Sequence, residues 1–221
     1  PLYRLFFCPA NRVWGHVLSV MEEVWHKEGE RIDLVIFLNG IAIFTFELKC
    51  NTSGQNYEDA IRQYKFERDY KTRLLKFKAG CLAHFAMDLN EVYMCTNLKG
   101  KSSFFLPFNK GCGIGVHSGK GNPHNENGIN VSYMWEDILK KDTVLYLIDK
   151  IIFLQKETKK DPDTGKRVTK ETLIFPRYHQ FNAVRKLVAD VVEHHSEKNY
   201  LIEHSAGSGK TNTIAWLAHR L

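Results

Sequence analysis

The spacing of apolar and polar positions divides the chain into helical and extended stretches. Residues 12–27 place Val13, Val17, Met21 and Val24 at three- and four-residue intervals with polar residues between them, which predicts an amphipathic helix. From Arg31 the pattern changes. Residues 31–49, RIDLVIFLNGIAIFTFELK, form two runs rich in β-branched and aromatic residues around Asn39-Gly40, the strongest short-range hairpin signal. Two adjacent antiparallel strands are expected there. After a polar stretch, residues 57–77 combine mixed charge, spaced apolar positions and an absence of Gly and Pro, predicting a long helix. Residues 81–98 contain two further strand-like runs that turn near Asp88 to Glu91, and 102–108 are a candidate for another strand.

Further along, residues 109–131 are rich in Gly, Asn, His and Lys and read as an exposed loop. Residues 134–155 return to helical texture with Asp142 expected as an N-cap. The charged stretch 156–173, with its Pro-Asp-x-x-Gly turn signal, reads as a linker or exposed hairpin. A helix over 178–195, a short buried strand over 199–205 and a helix over 211–221 complete the pattern. The fold class is therefore α/β, a mixed central sheet flanked by helices. Three regions are expected: a domain at 1–154, a linker or hairpin at 155–173, and the start of a second unit at 174–221. That unit is expected to be incomplete, because one strand, a loop and a helix bury no core of their own.

The 221 residues carry a formal net charge of +6, which suits a polyanionic partner without specifying one. The cysteines Cys8, Cys50, Cys81, Cys95 and Cys112 are scattered and never in C-x-x-C spacing. They read as reduced thiols in a cytoplasmic protein. No apolar run reaches the roughly 18 residues that span a bilayer, and the first residues lack the layout of a signal peptide, so no membrane partner is expected.

Asp33, Glu47 and Lys49 supply hard oxygen ligands for Mg²⁺ and a cation for a phosphate, the groups that phosphodiester hydrolysis needs. Glu47 and Lys49, two apart on one strand, point the same way. A strict two-residue turn at Asn39-Gly40 would pair Asp33 with Phe46 and put Asp33 and Glu47 on opposite faces. A shared site therefore requires an odd loop or a bulge; a three-residue loop would set Gly40 in a left-handed G1 bulge with Asp33 opposite Thr45. By themselves the three charges describe a solvated surface hairpin more readily than a site.

Asp-x13-Glu-x-Lys across a hairpin, between two helical stretches, resembles the PD-(D/E)xK nuclease core, and FLNG followed by ELK resembles its version in restriction subunits. The resemblance implies that Asp33 and Glu47 hold the metal, with the Leu48 carbonyl as a third ligand, and that Lys49 serves the scissile phosphate or attacking water. AIRQYKFERD resembles the family helix bearing a glutamine near the site, which maps to Gln63. Two positions depart from the pattern: Ile32 stands where many relatives have proline, and Glu67 where a tyrosine is usual, with Tyr64 and Tyr70 nearby. Glu22 or Glu23 could add a ligand, although a solvated face explains them better. His16, His26, His84, His117 and His124 show no ligand spacing.

Gly207-Ser208-Gly209-Lys210-Thr211, between an expected strand and a helix, has the character of a phosphate loop. Backbone N–H groups would cradle phosphates, Lys210 would reach the β/γ oxygens and Thr211 would ligate Mg²⁺. His204 replaces the first glycine of the usual pattern. IFPRYHQFNAV resembles the adenine-recognising Q motif of superfamily 2 helicases, with Gln180 set to pair with the base and Arg177 and Tyr178 beside it.

A nuclease hairpin followed by such a motor resembles the restriction subunit of type I restriction enzymes, and FLPFNKG resembles another stretch of that family. The resemblance implies a restriction-endonuclease-like core, then the first strand-loop-helix of a truncated RecA-like motor. It also implies Mg²⁺ and, in the full-length protein, ATP as cofactors, with double-stranded DNA and the methylation and specificity subunits as partners. These 221 residues are not expected to hydrolyse ATP unaided, since the motor's remaining residues lie beyond Leu221. The alternative is a translocase whose front domain is a catalytically inactive DNA-binding or subunit-docking module.

Overall fold

The computed structural model describes residues 15–112, 120–160, 165–195 and 198–221. Its sheet grows outward from the Asn39-Gly40 hairpin. The strands are β1 (Leu18–Lys27), β2 (Glu30–Leu38), β3 (Ile41–Leu48), β4 (Ala83–Met87), β5 (Val92–Cys95) and β6 (Leu106–Pro107), lying side by side in chain order. Neighbours run antiparallel except β3 and β4, which are parallel. A parallel pair needs a crossover. Here it carries α1 (Tyr57–Arg62) and a π-helical segment, Gln63–Glu67.

The sheet buries both faces. On one, Phe44, Phe46, Phe85 and Phe108 belong to a cluster that also takes in Phe175, Phe181, Val184 and Trp216 from the last quarter of the chain. Phe175 sits edge-on to Phe44, Phe85 and Phe108 at centroid distances of 6.0, 5.9 and 5.8 Å. Such pairs contribute about 0.5–1.5 kcal/mol each beyond simple burial. The other face packs Val35 and Ala86 against Ala60 and Tyr64 of the crossover. Trp216, on α4 (Lys210–Arg220), donates its indole N–H to the Ile151 carbonyl at 2.8 Å. It ties the C-terminal helix to the segment after α2 (Lys141–Tyr146). The charged stretch forms an exposed hairpin, β7 (Phe153–Lys160) and β8 (Arg167–Ile174), and α3 (Tyr178–His194) follows it.

Several local expectations are corrected. The stretch expected as an amphipathic helix forms β1 from Leu18 onward, while residues 12–14 lie outside the described residues. Pairing with β2 from Leu18↔Leu38 to Lys27↔Glu30 outweighs a helical spacing that β-branched residues support only weakly. The long helix stops at Glu67, because Arg68 turns extended (φ −115°, ψ 129°). Its start is well made: Asn56 accepts from Glu58 N at 2.8 Å, and Asp59 accepts from Asn56 N at 3.1 Å. Lys140, not Asp142, holds the cap position of α2.

The stretch 134–155 is likewise broken into two π-helical segments, Met134–Ile138 and Leu147–Ile151, around α2. Residues 199–205 form no strand, and Leu201 is 94% exposed, since no neighbouring strand offers it a ladder. Within 109–131, Asn109 and Asn122 are buried and bonded to one another, so this loop is partly internal; residues 113–119, with His117, lie outside the described residues.

Candidate active site

The turn and the register are settled separately. Asn39 (φ +50°) and Gly40 (φ +79°) both occupy the left-handed region, and Leu38 faces Ile41, so the turn has two residues. Gly40 is not the site of a G1 bulge. The irregularity falls further along: Phe37 faces Ala42, but Ile36 faces Phe44, leaving Ile43 as the extra residue. Ile43 and Phe44 consequently both join the same side of the core. The bulge moves the register by one, so Val35 rather than Asp33 faces Thr45, and Leu34 faces Phe46. The next step brings Asp33 to Glu47. Asp33 accepts a 2.7 Å hydrogen bond from the amide of Leu48 through Oδ2.

Glu47 lies on the sheet face covered by α1 and is fully buried. Its partner is Arg68, whose Nε and Nη2 approach Oε1 and Oε2 at 2.7 and 3.2 Å, a two-pronged guanidinium–carboxylate pair. Burial is the largest influence on the Glu47 carboxyl and raises it to about 7. The Arg68 hydrogen bonds pull it down, the Asp33 charge pushes it up, and the Arg68 and Lys49 charges lower it. The Glu47 carboxyl thus feels the charges of Asp33 and Lys49 at the open end of the hairpin. Lys49 stays in the ladder, its amide donating to Met87 O at 2.9 Å.

Beneath Glu47, a buried chain of hydrogen bonds joins the crossover to the sheet. The Thr45 hydroxyl lies 2.8 Å from the Tyr64 hydroxyl and 2.8 Å from His84 Nδ1. Burial lowers His84 to about 3, so it is a neutral structural imidazole. Gln63 opens the π-helical segment, and its side-chain oxygen is buried without a hydrogen-bond partner. Glu23, which follows the Glu22↔Leu34 pair, has a φ of +52° and gives its carboxylate to Arg31 at 2.5 Å. Among the described residues, no three His, Cys, Asp or Glu side chains are grouped to hold a metal ion.

Arg68 was not foreseen from the sequence. The signal was available in one form: a carboxylate enclosed among apolar strand residues needs a counter-cation. Which one it takes depends on where the helix ends, since Arg68 stands just past that end and 21 residues after Glu47.

The second cluster gathers around Gly207 and Gly209, at φ +72° and +80°. Gly209 occupies the cap position of α4. The Gln180 amide nitrogen donates to the carbonyls of Ser208 and Gly209 at 3.2 and 2.8 Å, while its oxygen accepts from Arg177 N at 2.8 Å. The positive φ favours glycine at position 209, and a Cβ there would lie 2.5 Å from that nitrogen, so the Gln180 amide would have to move. Lys210 Nζ donates to its own loop, to His204 O at 2.8 Å and Ser205 O at 2.9 Å. Thr211 is exposed. A cavity of about 500 Å³ opens between this loop and the sheet, touching Met94, Thr96 and Leu106. The structure thus brings Gln180 onto the loop and leaves Lys210 and Thr211 at its surface.

Residues 17–103 match the family described as Type I restriction enzyme R protein N terminus. The chain is also similar to a protein of Methanocaldococcus jannaschii provisionally named as an endonuclease subunit of a type I restriction enzyme. The two are 28% identical over 220 residues, which cover 92% of this chain and 18% of that protein. No solved structure matches the chain significantly. The matched stretch contains β1 to β5, with Asp33, Glu47, Lys49, Gln63 and Arg68.

Proposed function

We propose that Asp33, Glu47 and Lys49 form a metal-dependent site that hydrolyses duplex DNA within an ATP-driven type I restriction enzyme. The observation that carries this reading is the Ile43 bulge, which brings Asp33 to Glu47 despite the two-residue turn. The donor set fits a hard divalent cation. Two carboxylates with water and a main-chain carbonyl suffice for Mg²⁺, which rarely takes an all-protein cage. Asp33 and Glu47 would hold it, with the Leu48 carbonyl as the third protein ligand. Bound there, Mg²⁺ would supply a Lewis acid and lower the pKa of a coordinated water.

Lys49, two residues after Glu47 on the same strand, would place its ammonium against the scissile phosphate or the attacking water. The unpartnered oxygen of Gln63 is an acceptor free to orient a water or a DNA group, as buried polar atoms left single in a fold often are. The π-helical segment that starts at Gln63 also fits a functional role, since such segments recur at working sites.

In the same reading, Gly207 to Thr211 bind ATP and Mg²⁺. Lys210 exchanges its two loop carbonyls for phosphate oxygens, Thr211 serves the metal, and Gln180 shapes the loop as well as meeting the adenine. The methylation and specificity subunits would choose the DNA sequence. The chain spans about a fifth of the length of the relative it matches, so translocation is assigned here to the larger protein.

A second reading draws on Arg68. A carboxylate already closed by a guanidinium also suits an inactive module that docks other subunits. Glu47→Ala in the full-length subunit separates the two. Cleavage should be lost while ATP-dependent translocation persists; undiminished cleavage would remove Glu47 from the chemistry.

A further inference from the structure

We infer that Arg68 and a divalent cation are alternative partners of the Glu47 carboxylate, so that metal binding expels Arg68 and leaves its guanidinium beside the site as a phosphate-binding group. The inference rests on the nuclease reading above. Its first support is geometric: the guanidinium lies 2.7 and 3.2 Å from the two oxygens of Glu47, along the edge a cation would approach. A guanidinium and a divalent ion on the same carboxylate edge repel each other in a setting with little water to screen them, since the Glu47 side chain is 0% and that of Arg68 10% exposed.

The backbone around Arg68 shows what such a displacement would move. Arg68 follows the last residue of the π-helical segment and is extended, outside any ladder or helix. The next residue is pinned: Asp69 N donates to Glu30 at 2.7 Å, and the Asp69 carboxylate meets Lys27 at 3.2 Å. Release is therefore a rotation of one long side chain about a held main chain. The guanidinium stays close, where its planar donors match a phosphate in the two-pronged way a lysine cannot. Lys49 and Arg68 would then flank the scissile group from two different elements, one on β3 and one after the crossover helix.

The test follows the Arg68 Nε–H resonance in ¹⁵N-labelled chain titrated with MgCl₂ at pH 8, assigned by its loss in Arg68→Lys. Calorimetry measures Mg²⁺ affinity in parallel. Solvent exchange of that proton should accelerate on the order of tenfold or more at saturation, as a charge-assisted bond is given up. Asp33→Asn should abolish the change. Arg68→Met, which removes the competitor, should bind Mg²⁺ on the order of tenfold more tightly.

Mg²⁺ binding that depends on Asp33 but leaves the Arg68 proton protected would overturn the inference and leave the nuclease reading standing. Absence of Mg²⁺ binding in both wild type and Arg68→Met would sink both. Binding by Arg68→Met alone would support strong competition. Should Arg68→Met fail to fold, the wild-type resonance decides.

Discussion

The hairpin end and the glycine-containing loop at 207–211 are built in opposite ways. Asp33, Glu47 and Lys49 sit at the end of a six-stranded sheet, with Glu47 sealed under the crossover helix and bonded to Arg68. Gly207 to Thr211 lie mostly at the surface, without the strand expected before them, and Lys210 folds back onto its own loop. The three charges that hardly make a motif occupy the better-organised place. A buried acid needs its surroundings arranged around it, whereas a turn through glycines at positive φ is set largely by its own few residues.

The sharpest way to break this contrast is to remove one cation from each place. Arg68→Ala strands a buried carboxylate and should lower stability by about 3–5 kcal/mol, read from urea unfolding midpoints. A change below 1 kcal/mol would mean that Glu47 is not sealed as described. The same reasoning gives a pH dependence. Because the folded state raises Glu47 from 4.5 to about 7, it binds that proton more tightly than the unfolded chain does. The associated stability is full below about pH 4.5 and is lost as pH rises toward 7, by on the order of 3 kcal/mol. Glu47→Gln should flatten this slope in denaturation curves measured between pH 5 and 8.

Gly209→Ala tests whether the loop has any rigid point. The positive φ and the encounter with Gln180 should cost about 1–3 kcal/mol, and part of that should be recovered in the double variant with Gln180→Ala. Additive losses in thermal melts would show that the two residues act independently. Lys210→Ala, at the exposed end of the comparison, should shift stability by less than about 0.5 kcal/mol.

The hairpin was legible because its signal is local: Asn39-Gly40 can turn only one way between β-branched runs, and the demand for an odd shift followed from counting residues. Where the extra residue falls was not legible. A bulge at Ile43 depends on packing both Ile43 and Phe44 into one core, which involves strands and aromatic residues far along the chain. Strand β1 was hidden for a related reason, since Met21 and Val24 fit a helix until β2 offers them a partner. Arg68 was invisible because its role depends on a helix ending at Glu67. The motif singled out Gln180 but did not foretell its contact with the glycine loop, where its amide meets the loop's own carbonyls.

The turn and the bulge together act as a parity rule. Two residues in the turn and one extra at Ile43 make three, and with the odd number of residues that separates Asp33 from Glu47 an odd sum keeps the two acids on one side. Deleting Ile43 would remove the bulge and close the ladder regularly: Ile36 would still face Phe44 and Asp33 would still meet Glu47, now with an even number of residues between the two acids. The number of residues between the two acids and the bulge are thereby linked: one residue fewer between Asp33 and Glu47 would need no bulge at this two-residue turn to keep them together.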